Sequence, residues 1–345
     1  MRKMLVIGLL LTVTIYMLPV FCGYLDTEAA DFIPQEETGI HAEISAAQAE
    51  ERTEEQKEEQ APPISASGRI TVQVDGQARE MALEDYVVSV VSGEISPDFP
   101  EEAIKAQAVA ARTYALYKQQ TGRPAQHKDA DVCDNPAHCA AYVDLKTQAS
   151  ARWGEQADAD KIRQAVKDTE GMVVTYEGKP IVAVFSAAAG EKSERAEDVW
   201  GSDIPYLQSV DSPGGEACPK YHATVTLSAD EVRRRAAKNV PSADLSGDPS
   251  EWFKASKRSE AGGIISVKFG GVEVQGTALR TLFGLNSTNF TVKTEGDMLT
   301  FSTTGYGHGV GLSQWGAKYA AEQGQTWQEI LTHYYSGTKI TQITV

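Results

Sequence analysis

The sequence predicts an α+β protein: a mixed, two-lobed globular body with a substrate groove, preceded by one transmembrane helix and a disordered tether. Three observations carry this. β-branched runs at Ile70–Val74, Met172–Tyr176, Ile181–Phe185 and Ile264–Phe269 alternate with Ala-rich stretches, mixing the periods that separate strand from helix. An apolar run stands at the amino terminus. Between that run and the body lies a stretch too acidic to bury a core.

Residues 1–25 are expected to form the anchor. Met1-Arg2-Lys3 is basic, and Met4 to Phe21 runs apolar without a charge, at the short end of what a helix needs to cross a bilayer. Basic residues before the run and acid after it put the rest of the chain outside the cytoplasm. The rival is a cleaved signal peptide, which calls for a small-x-small site. The bulky Phe21 before Cys22 fits that site poorly, so an uncleaved anchor is preferred. Residues 26–67 are rich in Glu, Gln, Ala and Thr, and Glu50-Glu51-Arg52-Thr53-Glu54-Glu55 repels itself, which describes a solvated linker. This linker supplies much of the net charge of −16. The acidity argues against a nucleic-acid partner.

The body, residues 68–345, begins with a short strand run. Val87 to Glu94 is then an apolar run that ends on an acid. Ser96-Pro97-Asp98-Phe99-Pro100 turns the chain, and Pro100-Glu101-Glu102 reads as a helix start, since Pro fits the first turn and acids favour the N-terminus. That helix is predicted to run to about Gln120, with Ile104, Ala108, Ala111 and Ala115 on one closely packed face. Lys105 and Arg112 lie two turns apart on one flank. They are either solvated surface charges or a basic stripe for the carboxylates of muramic-acid lactyl groups or stem peptides.

His127, Cys133 and Cys139 recur at equal spacing, with His138 beside the last. Nitrogen and sulfur donors in this number suit tetrahedral zinc. A Cys133–Cys139 disulfide, or two inert thiols, fit the spacing as well. Cys218 has no assigned partner and reads as a free thiol. Further on, Val184 to Gly190 is a strand entering a small-residue loop that contains Ser186. Ser186 lacks the Gly-x-Ser-x-Gly elbow of a nucleophile. Ala217 to Leu299 is the least distinctive stretch and reads as a lobe that shapes the groove. Gly305-Tyr306-Gly307-His308-Gly309-Val310-Gly311-Leu312-Ser313-Gln314 fails the dinucleotide-binding spacing. Its glycines instead let the backbone approach a ligand or another segment. Here His308 and Gln314 either line a cleft or belong to a structural loop.

Three ordered blocks resemble the stage II sporulation protein D family of lytic transglycosylases. The first is Val91-Ser92-Gly93-Glu94-Ile95-Ser96 with Glu102 to Tyr114. The second is Phe185-Ser186 through Gly190, where this chain has Ala at positions that commonly carry hydroxyls. The third is the glycine run with Ile330-Leu331-Thr332-His333-Tyr334-Tyr335 after it. The resemblance implies that Glu94 is the catalytic acid/base and that Lys105 and Arg112 support the active site. It further implies zinc held by His127, Cys133 and Cys139, auxiliary to the chemistry, and His138 approaching the sugar. Ser186, His308 and Gln314 would contact substrate. The reaction implied is cleavage of peptidoglycan glycan strands with 1,6-anhydro-muramyl products, during engulfment in endospore formation. It would take place at the mother-cell membrane facing the forespore, with the sporulation proteins P and M as partners.

One carboxylate is consistent with that reaction. A glycoside hydrolase generally needs two, whereas a C6 hydroxyl attacking within the substrate lets one Glu donate and then accept a proton. The wider family includes amidase enhancers, which bind glycan and stimulate an autolysin without cutting. A zinc hydrolase is disfavoured because the chain lacks His-Glu-x-x-His.

Overall fold

A computed structural model describes residues 68–136, 138–144 and 156–343. The expected anchor and linker lie outside these residues. Among the described residues no helix is long and apolar enough to cross a membrane.

The described residues open with a hairpin of β1 (Arg69–Val74) and β2 (Gln77–Ala82) around Asp75-Gly76. Helix α1 (Leu83–Glu94) follows directly, with Glu84 and Asp85 in its first turn, where acids offset the helix dipole. The Ser96–Pro100 turn leads into α2 (Glu101–Thr121). Nearly all of α2 is buried, Ile104, Ala108, Ala111 and Ala115 included. Its small side chains allow neighbours on every side, as a helix apolar all round requires. Strand β3 (Val132–Cys133) pairs parallel to β1 and completes a small sheet.

Helix α3 (Gln156–Asp168) packs on α1 and α2. Beyond it come β4 (Met172–Tyr176), β5 (Lys179–Pro180), β6 (Phe185–Ser186) and the short helix α4 (Ala196–Trp200). The strand expected over Ile181–Phe185 is mostly irregular. Ile181 to Val184 are buried in the core without a ladder partner along their length, so the β-branched run reports burial rather than pairing.

A second lobe is inserted here. It comprises β7 (His222–Ser228), α5 (Ala229–Asn239), β8 (Phe253–Arg258), β9 (Ile264–Phe269), β10 (Val272–Gln275), α6 (Gly276–Phe283), β11 (Phe290–Glu295) and β12 (Met298–Thr304). It forms two three-stranded sheets, β10-β9-β8 and β11-β12-β7. Its core is its own, with Phe269, Phe283, Phe290 and Phe301 in mutual ring contact or sharing neighbours. The expected elaborated lobe is therefore a separately packed unit.

The chain then returns to the first lobe through the glycine run to β13 (Leu312–Ser313), α7 (Gln314–Glu322), α8 (Trp327–Tyr334) and β14 (Lys339–Gln342). β13 pairs parallel with β6, and β14 pairs antiparallel with β4. Helices α7 and α8 pack on α2, and a capping box at Thr326 and Glu329 starts α8.

Candidate active site

Glu94 is the last residue of α1, half-buried, with its carboxylate held from two sides. The Ala141 backbone N–H donates to Oε1 at 2.7 Å, and the Gln314 side-chain amide donates to Oε2 at 3.1 Å. Gly93 makes the first contact possible. A Cβ there would stand 2.6 Å from the Ala141 carbonyl oxygen, so any larger residue pushes the 141 segment away from the carboxylate. The Val143 N–H donates to Ser89 O, pinning the same segment along α1. On the other side, Ser313 caps α7 by accepting from the Gly316 N–H. Gln314 is thereby fixed at the helix start, facing Glu94. Phe99 and Trp315 meet edge to face at 5.2 Å and join the turn after Glu94 to α7.

The segment that carries Ala141 also carries the His/Cys group. His127 ends a single 3₁₀ turn, Cys133 is placed by the β3–β1 pairing, and His138 and Cys139 follow a turn on Asn135. Their ligand atoms all lie within 4.8 Å of one another. The edges of a tetrahedral zinc site with these donors are roughly 3.3–3.8 Å, so a small contraction brings four donors onto one ion. His127 Nδ1 faces the Ala130 carbonyl at 2.8 Å, leaving Nε2 toward Cys139 Sγ at 3.3 Å. A ring nitrogen bonded to a backbone carbonyl while the other is free for metal is the usual support of a metal-binding histidine. The sulfurs of Cys133 and Cys139 face His138 Nδ1 at 3.6 and 3.3 Å.

Both cysteines are free thiols. The Cys139 thiol and both imidazoles hold the Cys133 sulfur well below the usual thiol range, and the same pairing pushes Cys139 up. A thiolate is the form that binds metal, so the donor set fits zinc. His138 joins this group, whereas the sequence resemblance gave three ligands and set His138 apart. Tyr86 is buried within electrostatic reach of both centres. Burial pushes its phenol up, with Cys139, Cys133 and Glu94 adding in that order.

Lys105 and Arg112 are engaged by the protein's own carboxylates. Arg112 is fully buried. It forms a two-pronged pair with Glu84, Nε to Oε1 at 2.8 Å and Nη2 to Oε2 at 2.6 Å. Nη1 and Nη2 also donate to the Met172 and Val166 carbonyls. The expected substrate contact at Arg112 therefore gives way to a structural tie among α1, α2, α3 and β4. Lys105 sits among Glu101, Glu102 and Asp168, its side chain 15 % exposed. Glu102 in turn accepts from the Trp327 N–H at the start of α8.

His308 is buried with both ring nitrogens bonded. The Val310 N–H donates to Nδ1 at 3.0 Å, so Nε2 carries the proton and donates to Phe185 O at 3.0 Å. Burial, with Arg280 nearby, pushes its pKa down to about 3. The ring also packs on Trp200 at 5.1 Å. Neutral and satisfied, it holds the glycine run against β6. Gly307 works to the same end: φ is +111°, and a Cβ would lie 2.6 Å from Ser186 Cβ. Ser186 is buried, and its Oγ has no hydrogen-bond partner among the described residues. Cys218 is a buried free thiol, as expected.

A family model for the stage II sporulation protein matches residues 74–176. The chain is 36 % identical to stage II sporulation protein D of Bacillus amyloliquefaciens, over 75 % of this chain and 74 % of that one. It is 34 % identical to the Bacillus subtilis (strain 168) protein of the same name, with the same shares covered. The chain belongs to the stage II sporulation protein D family. It is also similar to the amidase enhancer of Bacillus subtilis (strain 168), 29 % identical over 73 % of this chain and 40 % of that protein.

The family match covers Glu94, Lys105, Arg112 and the whole His/Cys group. Gln314, far outside it, is brought to Glu94 by the fold. Sequence reasoning missed the Ala141 N–H because a backbone donor leaves no mark in residue type. Gly93, next to the acid, was the available signal for a close approach.

Proposed function

We propose that this protein is a lytic transglycosylase of peptidoglycan glycan strands, with Glu94 as its single acid/base. What supports this most directly is the bracketing of the Glu94 carboxylate by the Ala141 N–H and the Gln314 amide. A protonated Glu94 donates to the glycosidic oxygen and its carboxylate then takes the proton of the substrate's C6 hydroxyl, which closes the 1,6-anhydro ring. Gln314 suits both states. Its amide donates to the carboxylate as placed here, and turned over it accepts from the neutral acid. Ser186, with an unpartnered Oγ, is a candidate substrate contact. Lys105 and Arg112 act as positioning residues through the helices they tie.

His127, Cys133, Cys139 and His138 would hold zinc, whose part is to fix the loop that presents Ala141 to Glu94. If His138 binds through Nδ1, its buried Nε2, which has no partner among the described residues, is left to donate to a sugar. Metal analysis tests this: one zinc per chain in the wild type and loss in Cys133→Ser are expected, and a metal-free wild type contradicts it. The setting proposed is engulfment during endospore formation, at the mother-cell membrane, with sporulation proteins P and M as partners and the amino-terminal run as anchor.

The similarity to an amidase enhancer supports a second reading, glycan binding that stimulates an amidase without cleavage. Digestion of glycan strands stripped of stem peptides separates the two. Anhydro ends are expected. Reducing ends would mean a hydrolase, and stimulation of an amidase with no product would favour the enhancer.

A further inference from the structure

In the second lobe, the sheet β11-β12-β7 buries one face in the Phe269–Phe301 core and turns the other outward. At one end of the outward face is a cavity of about 390 Å³, lined by side chains that include His222, Thr224, Asn289, Thr291, Ser302 and Thr304. Thr224, Ser302 and Thr291 form one row across the three strands, since Ser302 pairs with Thr224 on one side and Thr291 on the other. His222 and Thr304 form the next row. The hydroxyls of Thr224, Thr291, Ser302 and Thr304 make no hydrogen bond among the described residues. His222 is held edge-on against Tyr221 at 4.8 Å.

No Asp, Glu, Lys or Arg lines the cavity among the described residues. A charged ligand would find no counter-charge there, while a neutral ligand rich in donors and acceptors would find several unused partners. The strand that walls the cavity leads directly into the glycine run that ends at the Glu94 site. Thr304, on its wall, is followed by Gly305, whose N–H donates to Tyr221 O beside His222. Tyr306 bridges to Ala188, and the run continues to Gln314 against Glu94.

From these features we infer that this cavity is an accessory subsite for a neutral amino-sugar unit of a glycan strand, remote from the reacting bond. The inference rests on the glycan reading of the Glu94 site. Its chemical requirement is uncharged hydroxyl and acetamide groups, with no need of stem peptides. Each hydroxyl contact to sugar adds little, so the subsite raises affinity for long strands and leaves the chemistry at Glu94 alone.

The test is equilibrium binding of denuded glycan strands to the full chain carrying Glu94→Gln, which removes turnover. Ser302→Arg and Thr291→Arg are added one at a time, both at exposed strand positions. With thermal midpoints unchanged, each is expected to weaken strand binding about tenfold, as loss of contacts together with blockage would do. Strand affinity equal to the parent in both variants would overturn the inference, as would a parent that binds no strand. Product analysis of the chain with Glu94 intact is scored separately. Strand binding that depends on Ser302 and Thr291 in a protein yielding no cleavage would sink the transglycosylase reading and leave the subsite standing.

Discussion

Arg112 shows how far a residue's type is from its role. In the sequence it is a cation at helical spacing from Lys105, with a surface charge and a substrate clamp as its two readings. In the fold it is neither, because every direction its guanidinium points is filled by Glu84 or a backbone carbonyl. Arg alone has a planar fork that meets a carboxylate on one edge and carbonyls on another. Removing one partner of a buried pair leaves the other uncompensated, at 3–5 kcal/mol in general. Glu84 keeps 29 % of its side chain exposed, which places Arg112→Met near the lower end, about 3 kcal/mol. Urea unfolding measures this. A loss below about 0.5 kcal/mol, the size of a surface pair, would show that the tie is idle. His308 is comparable: its glycine-rich setting suggested a cleft, and two backbone bonds make it a structural post.

Among the elements, helices were more legible than strands. The α2 helix was read from Pro100-Glu101-Glu102 and its Ala periodicity, because caps and spacing are local. Small strands such as β3, β6 and β13 are set by which segments meet, and residue pattern carries little of that. The two contacts on Glu94 join α1 to α7 and to the 138–144 segment, and both are elements meeting across long chain separations. Gly93→Ala is therefore expected to keep the helix, since Ala is the better helix former, while displacing Ala141 from Glu94. The expected readout is a loss of cleavage with helical circular dichroism unchanged, and full activity would contradict it.

A second element-level device joins the lobes. Glu194 accepts from the Gly263 N–H and donates its own N–H to Gly309 O, while Oε2 is buried without a partner among the described residues. Burial raises its pKa above the ordinary carboxylate value. A folded pKa above the unfolded one means that folding favours the protonated form. Its stability contribution is complete below the unfolded pKa and lost as pH rises through the folded one. Glu194→Gln should thus melt higher than wild type at neutral pH, with the gap narrowing as pH falls towards about 4 and closed below it. A gap that stays constant across this range, or grows as the pH falls, would rule out ionisation of Glu194 as its source.

For the whole molecule, the α+β class and a second lobe around Ala217–Leu299 were readable from composition and periodicity. That the second lobe packs its own aromatic core, and that the glycine run stitches the lobes together, depends on long-range contacts absent from any local pattern. The carboxylate at Glu94 was one of many in an acidic chain until α1, the His/Cys segment and α7 met around it. That Glu94 alone carries the proton both ways is our proposal for the chemistry. It is tested most directly by the rate at which Glu94→Gln forms 1,6-anhydro-muramyl ends on denuded strands. The rate is expected to fall by about a hundredfold or more, with thermal midpoint and metal content as in wild type, and a variant that forms these ends at the wild-type rate would contradict the account.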